Sequence, residues 1–268
     1  SYGCPRAREL RNLSIARRRL VDQRTCLTNR LQDLLKRFYP EAIALMHNDI
    51  HRQINLDLLR SWPTPQALAA ADPGDLMDFF HGHGSRSQAR MQARLEIHRT
   101  IRPLTDDQSM IRPLTMEISV IIETIELLNY NILEMKNAMD TIMKEFGQQA
   151  ALVRALPGAG EVYAPRILAA LALHAPHCKS ADDLAALVGA APVTEESGKM
   201  RKVYRRSRCD HWLRQTFFEW AGESWKHSAW ARAYVRSEQE RGKHFNTIVR
   251  CLAVKWIRIL YRIWQTKQ

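Results

Sequence analysis

The sequence predicts an all-α protein, with long coiled-coil helices followed by a compact helical domain that contains a helix-hairpin-helix-like motif. Two observations support this fold class. Apolar residues recur at alternating spacings of three and four along two long stretches, and no strand pattern of any strength is visible. An apolar share of 46% in 268 residues is sufficient for a globular core.

Two long helices are predicted in an oligomerisation region over residues 1–147, the first at about 9–39 and the second at 114–146. The second carries an unbroken apolar seam formed by Leu114, Ile118, Ile121, Ile125, Leu128, Ile132, Met135, Met139, Ile142 and Phe146. A seam sustained over more than four heptads is typical of a coiled coil and predicts a homo-oligomer, either a dimer or a tetramer. Antiparallel pairing with the first helix inside one chain is the alternative, and the two can coexist.

Between the long helices, residues 41–100 are predicted to form short helices separated by prolines. The repeated motif IRPLT, at 101–105 and 111–115, is interpreted as a linker because its prolines discourage continuous helix. His81 and His83 have no third metal ligand nearby, so we interpret them as part of a turn.

The second predicted domain, residues 148–268, opens with the run LPGAG at 156–160 between two helical patterns. Gly158 and Gly160 would allow a tight turn whose backbone amides, at a helix amino terminus, can hold a DNA phosphate. This is the pattern of a helix-hairpin-helix. The alternative is a plain turn between two helices.

The twenty residues 189–208, GAAPVTEESGKMRKVYRRSR, hold the candidate chemistry. Ser197 is the candidate nucleophile, because a serine alcohol attacks phosphorus only where nearby cations stabilise the developing charge. The candidate phosphate-binding cations are Lys199, Arg201, Lys202, Arg205, Arg206 and Arg208. A solvated basic loop is the alternative interpretation of the same run.

The positive charge is concentrated at one end of the chain. Residues 201–268 carry 16 Lys and Arg against 5 Asp and Glu, whereas residues 1–200 carry 24 against 23. Such asymmetry predicts a face that binds a polyanion, and nucleic acid is the simplest such partner.

The five cysteines are far apart without a CxxC pair, which argues against a zinc ribbon or a disulfide framework and favours the cytosol. The sequence contains no run of about twenty apolar residues, so a membrane span is not expected. Because the chain starts at Ser1 without a methionine, we expect it to be a fragment.

Three segments resemble the carboxy-terminal domain of the IS-one-ten and IS-eleven-eleven insertion-sequence transposases, a family that includes Piv-type DNA invertases and bridge-RNA-guided recombinases. They are GAAPVTEESGK, the segment WLRQTFFEWA with Arg214, and RGKHFNTIVRCLAVKWIRIL. By this resemblance, Ser197 matches the serine that forms a covalent phosphoserine link to cleaved DNA. LPGAG matches the family's LPGxG segment, and Arg214, Arg241 and Lys243 match recurrent basic positions.

The resemblance also implies a RuvC-like DEDD domain that binds divalent metal, Mg²⁺, ahead of the coiled coil. No such domain is recognisable in this sequence, and no metal site or other cofactor is predicted within it. We therefore expect the chain to hold the nucleophile half of a composite site and to be inactive alone. The implied partners are donor and target DNA and a structured bridge RNA.

Two functions from other classes remain open at this stage. The first is a non-catalytic nucleic-acid-binding module built on the helix-hairpin-helix and the basic tail. The second is an oligomerising scaffold whose basic tail contacts an acidic protein.

Overall fold

The computed structural model describes residues 4–46, 49–197, 200–204 and 206–266, without the side chain of Arg201. The described residues form thirteen α-helices and one two-stranded antiparallel sheet. The all-α fold class is therefore confirmed, with the small sheet as the one departure.

The helices before the second predicted domain are α1 (Pro5–Phe38), α2 (Pro40–Leu45), α3 (Gln53–Ser61), α4 (Pro65–Ala69), α5 (Pro73–Gly82), α6 (Gln88–Arg99) and α7 (Gln108–Glu145). The remaining elements are α8 (Gln148–Arg154), α9 (Gly160–His174), a 3₁₀ turn (Ala175–His177), α10 (Ala181–Val188), β1 (Val193–Ser197), β2 (Met200–Tyr204), α11 (His211–His227), α12 (Ala229–Glu240) and α13 (Phe245–Thr266).

Helix starts follow the capping residues in the sequence. The Thr64 hydroxyl accepts a hydrogen bond from the Ala67 amide, and the Asp72 carboxylate accepts one from the Gly74 amide. A proline occupies the first position of both helices, where its missing N–H would be unpaired in any case. These side chains explain why residues 41–100 form short helices, as predicted.

The second IRPLT motif is helical, which corrects its interpretation as a linker. Helix α7 starts at Gln108 and contains Pro113. Because Pro113 lies only a few residues inside the helix start, it interrupts little of the hydrogen-bonding ladder there. The first copy remains outside the helices.

The chain divides into two compact units. The first, here called the serine unit, comprises Ser1–Arg17 and Met135–Gln268, and the second, the helical unit, comprises Arg18–Glu134. This division differs from the predicted boundary at residue 147. The reason is that Leu10 of α1 and Met139 and Met143 of α7 belong to the core cluster formed by α9 to α13.

In the helical unit, α1 packs against α7. Leu31 and Phe38 share a buried cluster with Ile121 and Ile125, all 5% exposed or less. The Arg24 guanidinium donates a 2.8 Å hydrogen bond to the Asn129 side chain. The seam predicted for an oligomer is thus covered within the chain, as the intramolecular alternative proposed.

The serine unit has a core of tryptophan and phenylalanine side chains. Trp220 is fully buried, and its indole N–H donates a 2.9 Å hydrogen bond to the Pro157 carbonyl. The Trp256 indole N–H donates a 2.8 Å hydrogen bond to the buried Ser224 hydroxyl. These two bonds satisfy the only polar atom of each indole, so the large rings can be buried without a desolvation penalty.

Within the described part of the chain, every helix is too short or too polar to cross a membrane.

The buried seam generates a stability prediction. Ile125→Ala removes a side chain that is 0% exposed, and we expect it to lower the free energy of unfolding by about 2–5 kcal/mol. Leu133→Ala, at a position 51% exposed on the same helix, should change it by no more than about 0.5 kcal/mol. Urea unfolding measures both. Equal effects at the two positions would contradict the assignment of the buried face.

Candidate nucleic-acid interface

The stretch 189–208 contains a β-hairpin, which corrects the expectation that the chain has no strand and the alternative interpretation of this run as a basic loop. Strands β1 and β2 are antiparallel, with Val193 opposite Tyr204 and Ser197 opposite Met200. The sequence does contain a signal for this arrangement. Valine, threonine and tyrosine flank a two-residue Gly-Lys sequence, and a two-residue loop with glycine first is a common hairpin connection.

Ser197 ends β1 and is exposed. Side chains alternate between the two faces of a strand, so Lys202, two residues beyond the serine's partner Met200, lies on the serine's face. Lys202 is directly opposite Glu195, yet no ion pair joins these two described side chains. A hydroxyl and an ammonium group are therefore both available on one face of the hairpin.

The hairpin joins the helical core at a junction formed by Gly189, Arg214 and Cys209. Gly189 ends α10 in the left-handed conformation, at φ 74°. A Cβ atom at this position would lie 2.7 Å from the Arg214 Nη2 atom and 2.8 Å from the Cys209 Sγ atom. Glycine is required here both by the backbone conformation and by the lack of space.

Arg214, predicted to bind nucleic acid, is directed into this junction. Its Nη2 atom donates a short hydrogen bond to the carbonyl of Arg206. Its Nε atom is buried without a partner among the described residues. Arg206 in turn donates from Nε to the Ala191 carbonyl at 3.4 Å. Arg214 thus holds the chain that follows β2, and Arg206 connects that segment to the chain that precedes β1.

The other candidate cations of the stretch differ in how much of each residue the structure describes. Arg208 is exposed, and no described residue forms an ion pair or hydrogen bond with it. Arg201 occupies a backbone position opposite Glu196 in the sheet. Lys199, Arg205 and the side chain of Arg201 lie outside the described residues.

Arg241 and Lys243 converge on one buried acid that the sequence analysis did not identify. The Glu238 carboxylate, 6% exposed, accepts a 2.8 Å bond from Arg241 and a short bond from Lys243. Hydrogen bonding by Lys243 and the charges of both cations hold the pKa of the Glu238 carboxyl below its ordinary value. This acid orients the two cations at the end of α12, while their side chains remain 67% and 46% exposed.

The LPGAG turn links α8 and α9, and both glycines have positive φ. A Cβ at Gly158 would lie 3.0 Å from the His227 ring and 3.4 Å from the Ser224 Cα, so this glycine packs against α11. Gly160 has open space around the corresponding position. Packing against α11 accounts for Gly158 without a ligand, and phosphate binding by the turn stays a prediction.

Asp210 and Arg11 form a further contact that sequence reasoning missed. The Asp210 carboxylate caps α11 by accepting hydrogen bonds from the Trp212 and Leu213 amides at 2.8 and 3.1 Å. Its other oxygen accepts a 3.1 Å bond from the Arg11 guanidinium. An aspartate just before a helix is a recognisable cap signal, whereas its partner 199 residues away has no local signal.

No group of three or more His, Cys, Asp or Glu side chains within residues 4–46, 49–197, 200–204 and 206–266 is arranged to hold a metal ion. In the turn predicted at His83, the ring contacts the Phe79 carbonyl at 2.8 Å and the Asp57 carboxylate at 2.9 Å. These contacts raise the pKa of the His83 imidazole. The Mg²⁺ implied by the resemblance finds no fitting ligand set among these residues.

The junction generates a stability prediction with a matched control. Gly242→Ala introduces a side chain at φ 77° with no atom within 4 Å, so we expect only the backbone cost of about 1–2 kcal/mol. Gly189→Ala has a similar backbone cost and must also displace Arg214 or Cys209, which adds about 1–3 kcal/mol. Urea unfolding of the two variants compares these costs. Equal destabilisation would show that the junction is loosely packed.

Comparison with known proteins supports the resemblance to insertion-sequence transposases. Residues 150–236 match the model of the transposase IS116/IS110/IS902 family. The chain is also 23% identical over 265 residues to a protein of Streptomyces coelicolor (strain ATCC BAA-471 / A3(2) / M145), the "Mini-circle putative transposase for IS117". That alignment covers 96% of this chain and 63% of the relative, so the chain spans less than two thirds of the relative's length.

The matched region contains the LPGAG turn, the whole hairpin and Arg214, but not Arg241 or Lys243. The match to the IS116/IS110/IS902 family model and the similarity to the IS117 protein both confirm the resemblance to insertion-sequence transposases.

Proposed function

We propose that this chain is part of a DNA transposase or site-specific recombinase in which Ser197 attacks a DNA phosphodiester. The observation that carries the proposal is the position of Ser197, exposed at the end of β1 with Lys202 on the same face of the hairpin. The family match supports it, because the matched residues include this hairpin.

In the proposed step, the serine hydroxyl loses its proton to a base and its Oγ atom bonds to phosphorus. The bond between phosphorus and one sugar oxygen breaks, and that oxygen leaves as a hydroxyl after taking up a proton. The product is a phosphoserine ester that keeps the energy of the broken linkage for rejoining. Cations near the phosphate stabilise the charge that develops on its oxygens.

Within this scheme, the cations of the hairpin have different roles. Lys202 contacts the phosphate attacked by Ser197, and Arg208 contacts the neighbouring backbone. Lys199 and Arg205 are proposed as further phosphate contacts, whereas position 201 of β2, occupied by Arg201, alternates to the face opposite that of Ser197 and does not belong to this group of contacts. Arg206 and Arg214 are positioning residues, since their guanidinium groups bond to backbone carbonyls at the base of the hairpin.

The missing half of the site is proposed to be a RuvC-like domain that holds Mg²⁺ outside the described residues of this chain. The metal would supply Lewis-acid stabilisation of the phosphate, and the serine unit would supply the nucleophile. Donor and target DNA are the proposed substrates, a structured bridge RNA is a proposed partner, and the cytosol is the proposed location.

Covalent capture tests the role of Ser197. With the metal-bearing domain supplied in trans, wild-type protein should form a denaturation-resistant adduct with nicked DNA, and Ser197→Ala should form none while binding DNA with unchanged affinity. Thr194→Ala removes a hydroxyl from the other face of the same hairpin and should leave the adduct intact. The adduct is measured by denaturing gel electrophoresis.

Adduct formed by Ser197→Ala would remove this serine from the mechanism. Salt-sensitive DNA binding with no adduct in the wild-type protein would instead favour the non-catalytic nucleic-acid-binding module. Failure to bind DNA or RNA at low salt would favour the scaffold.

Self-association is also proposed, but through a different face of α7 from the one that the sequence suggested. The predicted seam is buried within the chain. On the other side of α7, Met116, Val120, Leu127 and Tyr130 are each at least 61% exposed. A row of exposed apolar side chains on a helix is typical of an interface, and a second copy is the proposed occupant.

Light scattering tests this interface. The wild-type mass should be that of a dimer or tetramer, and Leu127→Glu with Tyr130→Glu should reduce it to that of a monomer. Leu104→Glu, at a leucine that is 61% exposed outside the row, is the matched control and should have no effect. A monomeric wild-type mass would refute the proposal.

A further inference from the structure

The hairpin exposes large apolar side chains on both faces. Met200 is 55% exposed, Val203 is 62% exposed and Tyr204 is 44% exposed. Residues 194–197 of β1 are all exposed as well. A two-stranded hairpin without a covered face is only marginally stable in water. This exposed arm is therefore expected to gain order from a partner.

Strand alternation assigns these side chains to different faces. Tyr204 and Lys202 are two residues apart on β2, and Lys202 shares the face of Ser197. Val203 lies between them and points to the opposite face. An aromatic ring, an ammonium group and the candidate nucleophile therefore follow one another along a single face of the arm.

A nucleic-acid strand that runs along this face would bring a nearby base to the Tyr204 ring. Tyr204 is four residues from Met200, the partner of Ser197, which corresponds to about 14 Å at about 3.4 Å per residue. Stacked nucleotides advance by about 3.4 Å each. The ring is thus within about four nucleotides of a phosphate held at Ser197, and fewer if the strand is extended.

The charge of the whole stretch favours nucleic acid over protein as the occupant of the arm. Residues 192–208 contain six Lys and Arg against two Glu, and on the serine's face itself Lys202 lies opposite Glu195. Lys202 and Arg208 have no described side chain as an ionic partner. A cationic groove with an aromatic platform is the combination that binds single-stranded nucleic acid, because cations follow the backbone while bases stack on the ring.

We propose that Tyr204 stacks on an unpaired base of the strand that Ser197 attacks, within four nucleotides of the attacked phosphodiester. The substrate class is therefore DNA that is locally single-stranded or unwound beside the cleavage point. This inference rests on the proposed function for its placement of the phosphate, but base stacking is measured independently of cleavage.

The probe is a DNA duplex with a four-nucleotide unpaired bubble that contains one 2-aminopurine. Binding of the 268-residue chain should quench the 2-aminopurine fluorescence through stacking on the Tyr204 ring. Tyr204→Ala should abolish this quenching and weaken binding about 5- to 150-fold. Tyr204→Phe retains the ring and should behave like the wild type.

Val203→Ala is the matched control, since it removes an exposed apolar side chain from the opposite face of the arm. It should leave quenching and affinity unchanged. Circular dichroism establishes that all variants remain folded, and the Tyr204→Phe result distinguishes the loss of stacking from damage to the hairpin.

The inference would be overturned if Tyr204→Ala quenched 2-aminopurine and bound DNA as the wild type does. It would also be overturned if Val203→Ala lost as much quenching and affinity as Tyr204→Ala. If Tyr204 became protected from solvent only when the metal-bearing domain was added, in the absence of DNA, this face would be assigned to a protein contact. That result would also overturn the inference. Ser197→Ala should retain quenching. Quenching in the wild type, with no covalent capture when the metal-bearing domain is supplied in trans, would support the stacking role while refuting the serine mechanism.

Discussion

The geometry of the candidate site depends on the close approach of the Gly189 backbone to Arg214 and Cys209. At this point α10 ends, the chain turns with a positive φ, and the first side of the hairpin begins. The second side returns to the same place, where the Arg206 carbonyl accepts a hydrogen bond from Arg214. One small residue thus allows both sides of the hairpin to be held by a single helix, α11.

This attachment explains how an exposed arm can still present a defined face. The arm itself has little packing, so its orientation must come from its base. There, the Arg214 guanidinium is oriented by a backbone carbonyl, and α11 is capped by Asp210, which also bonds to Arg11 of α1. The orientation of the hairpin is therefore determined by helices that do not themselves carry the candidate nucleophile.

Much of the helical architecture was predictable because it depends on local sequence patterns. The apolar spacing along α7 and the capping residues at Thr64 and Asp72 each determine an element from nearby residues alone. The partner of α7 was not determined in this way. A seam of isoleucines has the same spacing whether it packs against another chain or, as in this structure, against α1.

The candidate site shows the same limit. Ser197 and the surrounding cations were identifiable from composition and resemblance, but the pairing of β1 with β2 decides which cation shares the serine's face. The inward role of Arg214 and the convergence of Arg241 and Lys243 on Glu238 depend on tertiary contacts. A basic residue in a sequence does not reveal whether its charge faces a ligand or a carbonyl of its own chain.

The pairing of Ser197 with Met200 also restricts how this arm can change during evolution. Because side chains alternate along a strand, a one-residue insertion or deletion between Ser197 and Lys202 would place the hydroxyl and the ammonium group on opposite faces. Substitutions at the exposed positions alter only one contact each. The number of residues in β2 between Met200 and Lys202 therefore matters more for this shared face than the identity of the exposed side chains around it.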